Sequence, residues 1–315
     1  MADPTGDPFV LRAASGQAAL RPSPYGPTNV WSYNGSVPGP EIRARQGDRV
    51  LVLAQNGLDE GTTIHWHGIR TPNAMDGVPF LTQDPIPVDG DFLYEFDALD
   101  AGTFWYHPHQ RSSEQVGRGL YGPLIVEEVD PIRVDRDLTW MLDDWRMTRA
   151  GQLSDEFGNR HDAMHGGRIG NSVTINGEIP ERVSVQSGER IRLRLINAAN
   201  ARIFGLDFGD FEPVVVALDG QPVTPHAPDG GVVENAMDPR SQRRGRMPWR
   251  NAQGEINCVL DCRAESLGIR TPRDHYFVNP IDSRLVYQVV EAVDGDDNKV
   301  TTWVMSSWCK YKREY

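Results

Sequence analysis

The sequence predicts an all-β protein made of two consecutive β-sandwich domains followed by an irregular segment. Three observations carry that expectation. Short runs rich in β-branched and aromatic residues recur between turn dipeptides, and no amphipathic helical stretch of any length interrupts them. A signature in the first half returns about one domain length later in the second. Two His-x-His couplets lie in runs with the composition of a pleated, half-buried surface.

Taken in order, Leu11 to Gly39 is dense in Gly, Pro and Ser and reads as a wrapped loop or edge, with Trp31-Ser32-Tyr33-Asn34-Gly35 as a strand entering a turn. Glu41 to Arg45 and Arg49 to Leu53 read as strands on either side of a Gln46-Gly47-Asp48 turn. The first couplet, Thr63-Ile64-His65-Trp66-His67-Gly68, follows, and the second, Phe104-Trp105-Tyr106-His107-Pro108-His109, lies beyond a long connection from Pro72 to Asp91. Connections of that length are usually functional or disordered. Pro123 to Glu128 reads as the last strand of the first domain.

Asn34-Gly35-Ser36-Val37-Pro38 recurs as Asn176-Gly177-Glu178-Ile179-Pro180, and Gly47-Asp48-Arg49-Val50 as Gly188-Glu189-Arg190-Ile191. The offsets, about 141 positions, match one ordinary domain. At that offset His65 and His67 fall on Leu206 and Phe208, so the second copy carries apolar residues where the first carries imidazoles. The expected division is residues 1–132 for the first domain, 133–230 for a metal-free second, and 231–315 for a divergent tail. Within that tail, Ser283 to Trp308 reads as a hairpin that would supply the second domain's last strands.

The couplets hold four of the eight histidines. Side chains two apart on a strand leave the same face. Two such couplets side by side gather four imidazoles in one small volume, a donor set for copper or zinc.

Composition excludes several partners. The formal net charge of −12 repels polyanions, and no basic groove threaded with aromatics is present, so nucleic acid is not expected. The five arginines between Arg240 and Arg250 read as a solvated loop. Val50 to Ala54 and Val214 to Leu218 are too short to span a bilayer, and no membrane is expected. Met1 to Gly16 has neither the basic nor the apolar region of an export signal, which leaves localisation open. Cys258, Cys262 and Cys309 all fall late in the chain, so no disulfide framework holds most of it.

Together, His65-Trp66-His67-Gly68, Asp76-Gly77-Val78-Pro79 with Thr82-Gln83, Gly102 to His109, and Gly119-Leu120-Tyr121-Gly122-Pro123-Leu124-Ile125-Val126 resemble the first domain of the laccase-like multicopper oxidases. Residues 134–229 resemble that family's second, copper-free domain. The resemblance implies two cupredoxin-like Greek-key sandwiches and copper as cofactor. It implies one-electron oxidation of phenols, amines or metal ions coupled to reduction of dioxygen to water. It assigns His65 to a type 2 copper and His67, His107 and His109 to a type 3 pair, with Trp66 and Trp105 as walls of the site or plain sandwich core. Asp76 resembles an acidic residue that assists proton delivery, or is the Asp of a common Asp-Gly turn.

The later part departs from the family. It lacks the His-x-x-His-x-His motif and the His-Cys-His segment that complete the cluster and bridge it to the blue copper. A blue copper takes a cysteine thiolate with two histidines, yet no cysteine has a histidine neighbour. Cys258-x-x-x-Cys262 with His275 offers a loose zinc set or simply free cysteines. The expectation is a truncated oxidase whose last third was replaced by frameshift or fusion, or a naturally divergent tail, with another chain supplying the missing ligands. The alternatives are a non-catalytic copper-binding β-sandwich module, a structural protein with vestigial histidines, and a copper nitrite reductase, which fits the couplets less well.

Overall fold

The structure, a computed structural model, describes residues 7–227 except 23, 165, 180–182, 187, 203, 205, 208–212 and 219, together with four later strands at 255–256, 259–260, 285–293 and 300–308. Strands β1 (Phe9–Ala18), β2 (Thr28–Tyr33), β3 (Ile42–Arg45), β4 (Arg49–Gly57), β5 (His65–His67), β6 (Asp91–Asp97), β7 (Gly102–His107) and β8 (Gly122–Glu127) build the first half. A short helix, α1 (Ser112–Gly117), lies between β7 and β8.

These strands form two four-stranded sheets, β2-β1-β4-β6 and β3-β8-β7-β5. In β4 alternate residues Val50, Val52, Ala54 and Asn56 are buried while Arg49, Leu51, Leu53 and Gln55 are not, the period-2 pattern of one covered face. Leu11, Val52, Tyr94 and Phe96 of the first sheet meet Trp66, Phe104, Tyr106, Leu124 and Val126 of the second in one core. Each side chain of that size, fully buried, contributes roughly 1.5–3 kcal/mol.

One expectation is corrected. Phe9–Ala18, whose sequence reads as the start of a loop or edge, is a ten-residue strand in the interior of its sheet, antiparallel to β2 and parallel to β4. Its run of Ala13-Ala14-Ser15-Gly16 has low strand propensity, but close packing needs it: a Cβ on Gly16 would lie 2.8 Å from Ser32 Oγ. Strand preference yields to cross-strand context at such positions.

The second half contains β9 (Arg136–Trp145), α2 (Arg160–Met164), β10 (Ser172–Ile175), β11 (Val183–Ser184), β12 (Ile191–Asn197), β13 (Leu206–Asp207), β14 (Val215–Leu218) and β15 (Gln221–His226). Part of it repeats the first half. As β1 lies between an antiparallel β2 and a parallel β4, so β9 lies between an antiparallel β10 and a parallel β12. Asn34 and Asn176 both adopt positive φ, 54° and 53°. Each side-chain oxygen accepts a strand N–H, from Arg12 at 2.7 Å and from Met141 at 2.8 Å. Each amide nitrogen donates to a carbonyl two residues earlier, of Val10 at 2.9 Å and of Thr139 at 3.0 Å.

The two halves share a second core, in which Trp105, Val116 and Tyr121 pack with Trp140, Trp145, Leu195 and Phe204. Polar contacts cross the same interface. Tyr121 donates to buried Asp143 at 2.6 Å, and Arg194, itself buried, binds Asp137 at 2.7 Å and Thr103 at 2.7 Å. Strands Leu285–Val293 and Val300–Trp308 pair antiparallel, and the first of them also pairs with β14. Phe208, His275, Cys258, Cys262, Cys309 and the arginines of 240–250 lie outside the described residues or side chains.

Candidate metal centre

Strand β5 pairs antiparallel with β7 in the register His65↔His107, Trp66↔Tyr106 and His67↔Trp105. Alternation then sorts the side chains. Trp66 and Tyr106 point into the sandwich core, where Trp66 packs on Tyr94 and Phe96 at ring-centroid distances of 5.5 and 5.0 Å. His65, His67, Trp105 and His107 leave by the other face. The two tryptophans therefore differ. Trp66 is core, and Trp105 is a wall of the site, stacked on His107 at 4.1 Å and 5.2 Å from His67.

One ring nitrogen each from His65, His67 and His107 lies within 4.8 Å of the others. His67 Nδ1 and His107 Nε2 are 3.4 Å apart. Imidazole nitrogens about 2.0–2.1 Å from one ion in tetrahedral array stand about 3.3–3.4 Å from each other, so the spacing suits a shared ion. His109 joins the group by its ring, 4.3 Å from that of His65 and stacked 5.2 Å from that of His107. Unlike the other three it is not on a strand, because β7 ends at His107 and Pro108 follows.

Hydrogen bonds fix ring orientation. His65 Nδ1 meets the backbone carbonyl of Asp76 at 2.7 Å and His107 Nδ1 that of Pro108 at 3.1 Å. A carbonyl accepts only, so in both rings Nδ1 carries the proton and Nε2 keeps its lone pair, the arrangement metal-ligating imidazoles adopt. Burial, followed by the neighbouring His65 and His109, pushes the pKa of His67 down to about 3. Burial and the other three histidines also hold His107 well below the usual range. Both are neutral at ordinary pH, the form that binds metal.

Asp76 ends a single 3-10 turn, Asn73–Met75. Its carbonyl, rather than its carboxylate, makes the shorter contact with His65; the carboxylate Oδ1 lies 3.4 Å from the same nitrogen. That hydrogen bond from His65 is the main cause holding the carboxyl below its ordinary pKa. Gly77 brings the loop this close. Its φ is 73°, and a Cβ there would stand 1.9 Å from the Ile64 carbonyl oxygen. Asp76-Gly77 is thus both a turn dipeptide and a neighbour of the site.

Two supports escaped sequence reasoning. Tyr94 accepts the Ile64 N–H at 2.8 Å from a sheet that the couplets do not belong to, and nothing local to Tyr94 signals it. Asn56 and Asn197 are both buried, and each accepts the N–H two residues on at 3.0 Å. The 141-position offset would have found that pair.

Sequence comparison matches multicopper oxidase family profiles to residues 16–130 and 136–230. A copper resistance protein A homolog from Pseudomonas syringae pv. tomato is 34% identical over 62% of this chain, a stretch that is 40% of that protein. The multicopper oxidase MmcO of Mycobacterium tuberculosis is 34% identical over 66% of this chain and 47% of its own length. The chain thus spans less than half the length of these curated relatives. The crystal structure of a multi-copper oxidase from Pseudomonas thermotolerans superposes with a TM-score of 0.67 at 31% identity, covering 97% of this chain and 65% of that one. With both matched segments sharing one arrangement of three strands and an imidazole cluster in the first, the chain belongs to the multicopper oxidase family.

Proposed function

We propose that this chain binds copper through His65, His67, His107 and His109 and forms one side of an oxidase centre. That centre would couple one-electron oxidation of a small reducing substrate, a phenol, an amine or a metal ion, to reduction of dioxygen to water. The observation that carries the reading is the convergence of three imidazoles within 4.8 Å on the outer face of one sheet. The donor set fits the cofactor of the family, since imidazole suits both Cu(I) and Cu(II). When bound, copper supplies the one-electron chemistry.

The chain's own residues do the rest. His65 would hold a type 2 copper, and His67, His107 and His109 a type 3 pair, a grouping that the 3.4 Å approach of His67 and His107 supports. Asp76 keeps about a third of its side chain exposed beside His65, which suits a group that passes protons between water and the site. Trp105 closes the floor and excludes water from His107. Residues 1–132 and 133–230 act as two domains, the second metal-free, with 231–315 as a tail.

A second reading is a copper-binding module without turnover. It is favoured by the sequence fact that none of Cys258, Cys262 and Cys309 has a histidine neighbour, so no blue-copper thiolate site is evident. One experiment separates the two. The copper-loaded chain is assayed for oxygen uptake with a phenolic substrate, beside a variant in which the four histidines are alanine. Turnover lost in the variant supports the oxidase; copper binding lost in the variant without any turnover supports the module; equal copper binding by both proteins refutes the site.

A further inference from the structure

We infer that the buried hydroxyl of Thr63 is the positioning group for His109, doing for that imidazole what the β5–β7 ladder does for the other three. The inference rests on the copper-site reading above and deepens it. It begins with the register. His65 lies opposite His107, so continuing two places sets Thr63 opposite His109. The ladder does not reach that pair, because Pro108 carries no N–H and both strands have ended.

At the break a side chain replaces the backbone. The His109 N–H donates to Thr63 Oγ1 at 3.1 Å, and Thr63 is fully buried. A partly buried N–H left without an acceptor would seek one elsewhere, and His109 would turn with it.

The acceptor is itself anchored. The adjacent Thr62 hydroxyl donates to Gln115 Oε1 at 2.7 Å, and Gln115 Nε2 donates to the Gly61 carbonyl at 2.9 Å and to Glu60 at 2.8 Å. Gln115 is fully buried on α1, the helix that starts three residues after His109. Arg111, at φ 44°, pairs with both Glu60 and Glu114. The stretch leading into His65 is therefore tied to the chain on the far side of His109, and the Thr63 bond is the tie that reaches the ligand itself.

The test uses the full chain with three substitutions, Thr63→Val, Thr63→Ala and Thr63→Ser, and two readouts. Amide hydrogen exchange at His109 reports the hydrogen bond without metal. Cu(II) titration followed by electron paramagnetic resonance reports affinity and the number of coordinated nitrogens. Valine should speed exchange at His109 at least tenfold, weaken copper binding by about 10–100-fold, as removal of such supporting partners does, and change the nitrogen pattern. Serine should restore both readouts. Alanine gives the same comparison if valine is not accommodated. Wild-type exchange and copper spectra in the valine and alanine variants would overturn the inference, as would a serine variant that fails as valine does. If His65→Ala with His107→Ala leaves copper binding intact, the site reading falls instead, and exchange at His109 still decides what the hydroxyl does.

Discussion

Gly77→Ala should both destabilise the fold and loosen His65, and the structure sets the size of each effect. At φ 73° an alanine pays the left-handed penalty of about 1–2 kcal/mol. Its Cβ would also start 1.9 Å from the Ile64 carbonyl oxygen and 2.4 Å from its carbon, where real contacts stay above 3.0 Å. The loop must therefore retreat by about 1.1 Å, and overpacking of that kind costs about 1–3 kcal/mol more. The 2.7 Å bond from His65 Nδ1 to the Asp76 carbonyl would open to about 3.8 Å, past the hydrogen-bond limit. Gly47→Ala is the control, since Gly47 has φ 92° with nothing within 4 Å of a Cβ and carries the backbone penalty alone. Urea unfolding should place Gly77→Ala below Gly47→Ala by about 1–3 kcal/mol, and copper titration should show about 10–100-fold weaker binding only for Gly77→Ala. Equal stabilities with unchanged copper affinity would refute the close-approach account.

Other expectations follow from single contacts. Trp105→Leu should alter the copper spectrum through its stacking on His107, whereas Trp66→Leu should lower the denaturation midpoint and leave that spectrum nearly unchanged. Asp137→Asn, which strips the carboxylate from buried Arg194, should cost about 3 kcal/mol in urea unfolding. Burial alone would raise the Asp137 pKa, but hydrogen bonding and charge from Arg194 outweigh it and the net shift is downward. A depressed folded pKa gives stability that is present above about pH 4 and lost as pH falls through the folded value. Stability curves between pH 6 and 2 should accordingly show a shallower acid limb in Asp137→Asn than in wild type. Asn197→Ala should destabilise by about 1–3 kcal/mol by removing the side-chain bonds to the Ala199 N–H and the Arg202 carbonyl, and Asn56→Ala, which removes the bonds to the Leu58 N–H and the Glu60 carbonyl while the Ile86 and Pro87 carbonyls keep their backbone donors, by a similar amount in the same assay.

The repeat was legible in the sequence because its elements depend on local chemistry. Asn-Gly at 34 and 176 must take left-handed backbone, and each asparagine side chain then reaches back to the preceding strand. The couplets were legible for a similar reason, since a period of two puts His65 with His67 on one face without knowledge of any neighbour. The strand at Phe9–Ala18 was not legible, because small residues are placed there by packing against β2 and not by preference.

By itself, then, the sequence determined the sandwich class, its duplication and the four imidazoles. Tertiary structure decided which way each neighbour faces. Trp66 lies between two histidines and Trp105 two residues before one, so a period of two puts them on opposite faces, but every residue of β7 is buried and burial does not tell the core face from the site face. The pairing of Trp66 with Tyr106 in the first core, and the second half packed over Trp105, tells which face is which. The supports of the site were equally hidden. A backbone carbonyl from Asp76, a hydroxyl from Thr63 and a phenol from Tyr94 reach the couplets across breaks in the chain, and hydrogen bonds between segments so far apart exist only once the sheets have closed.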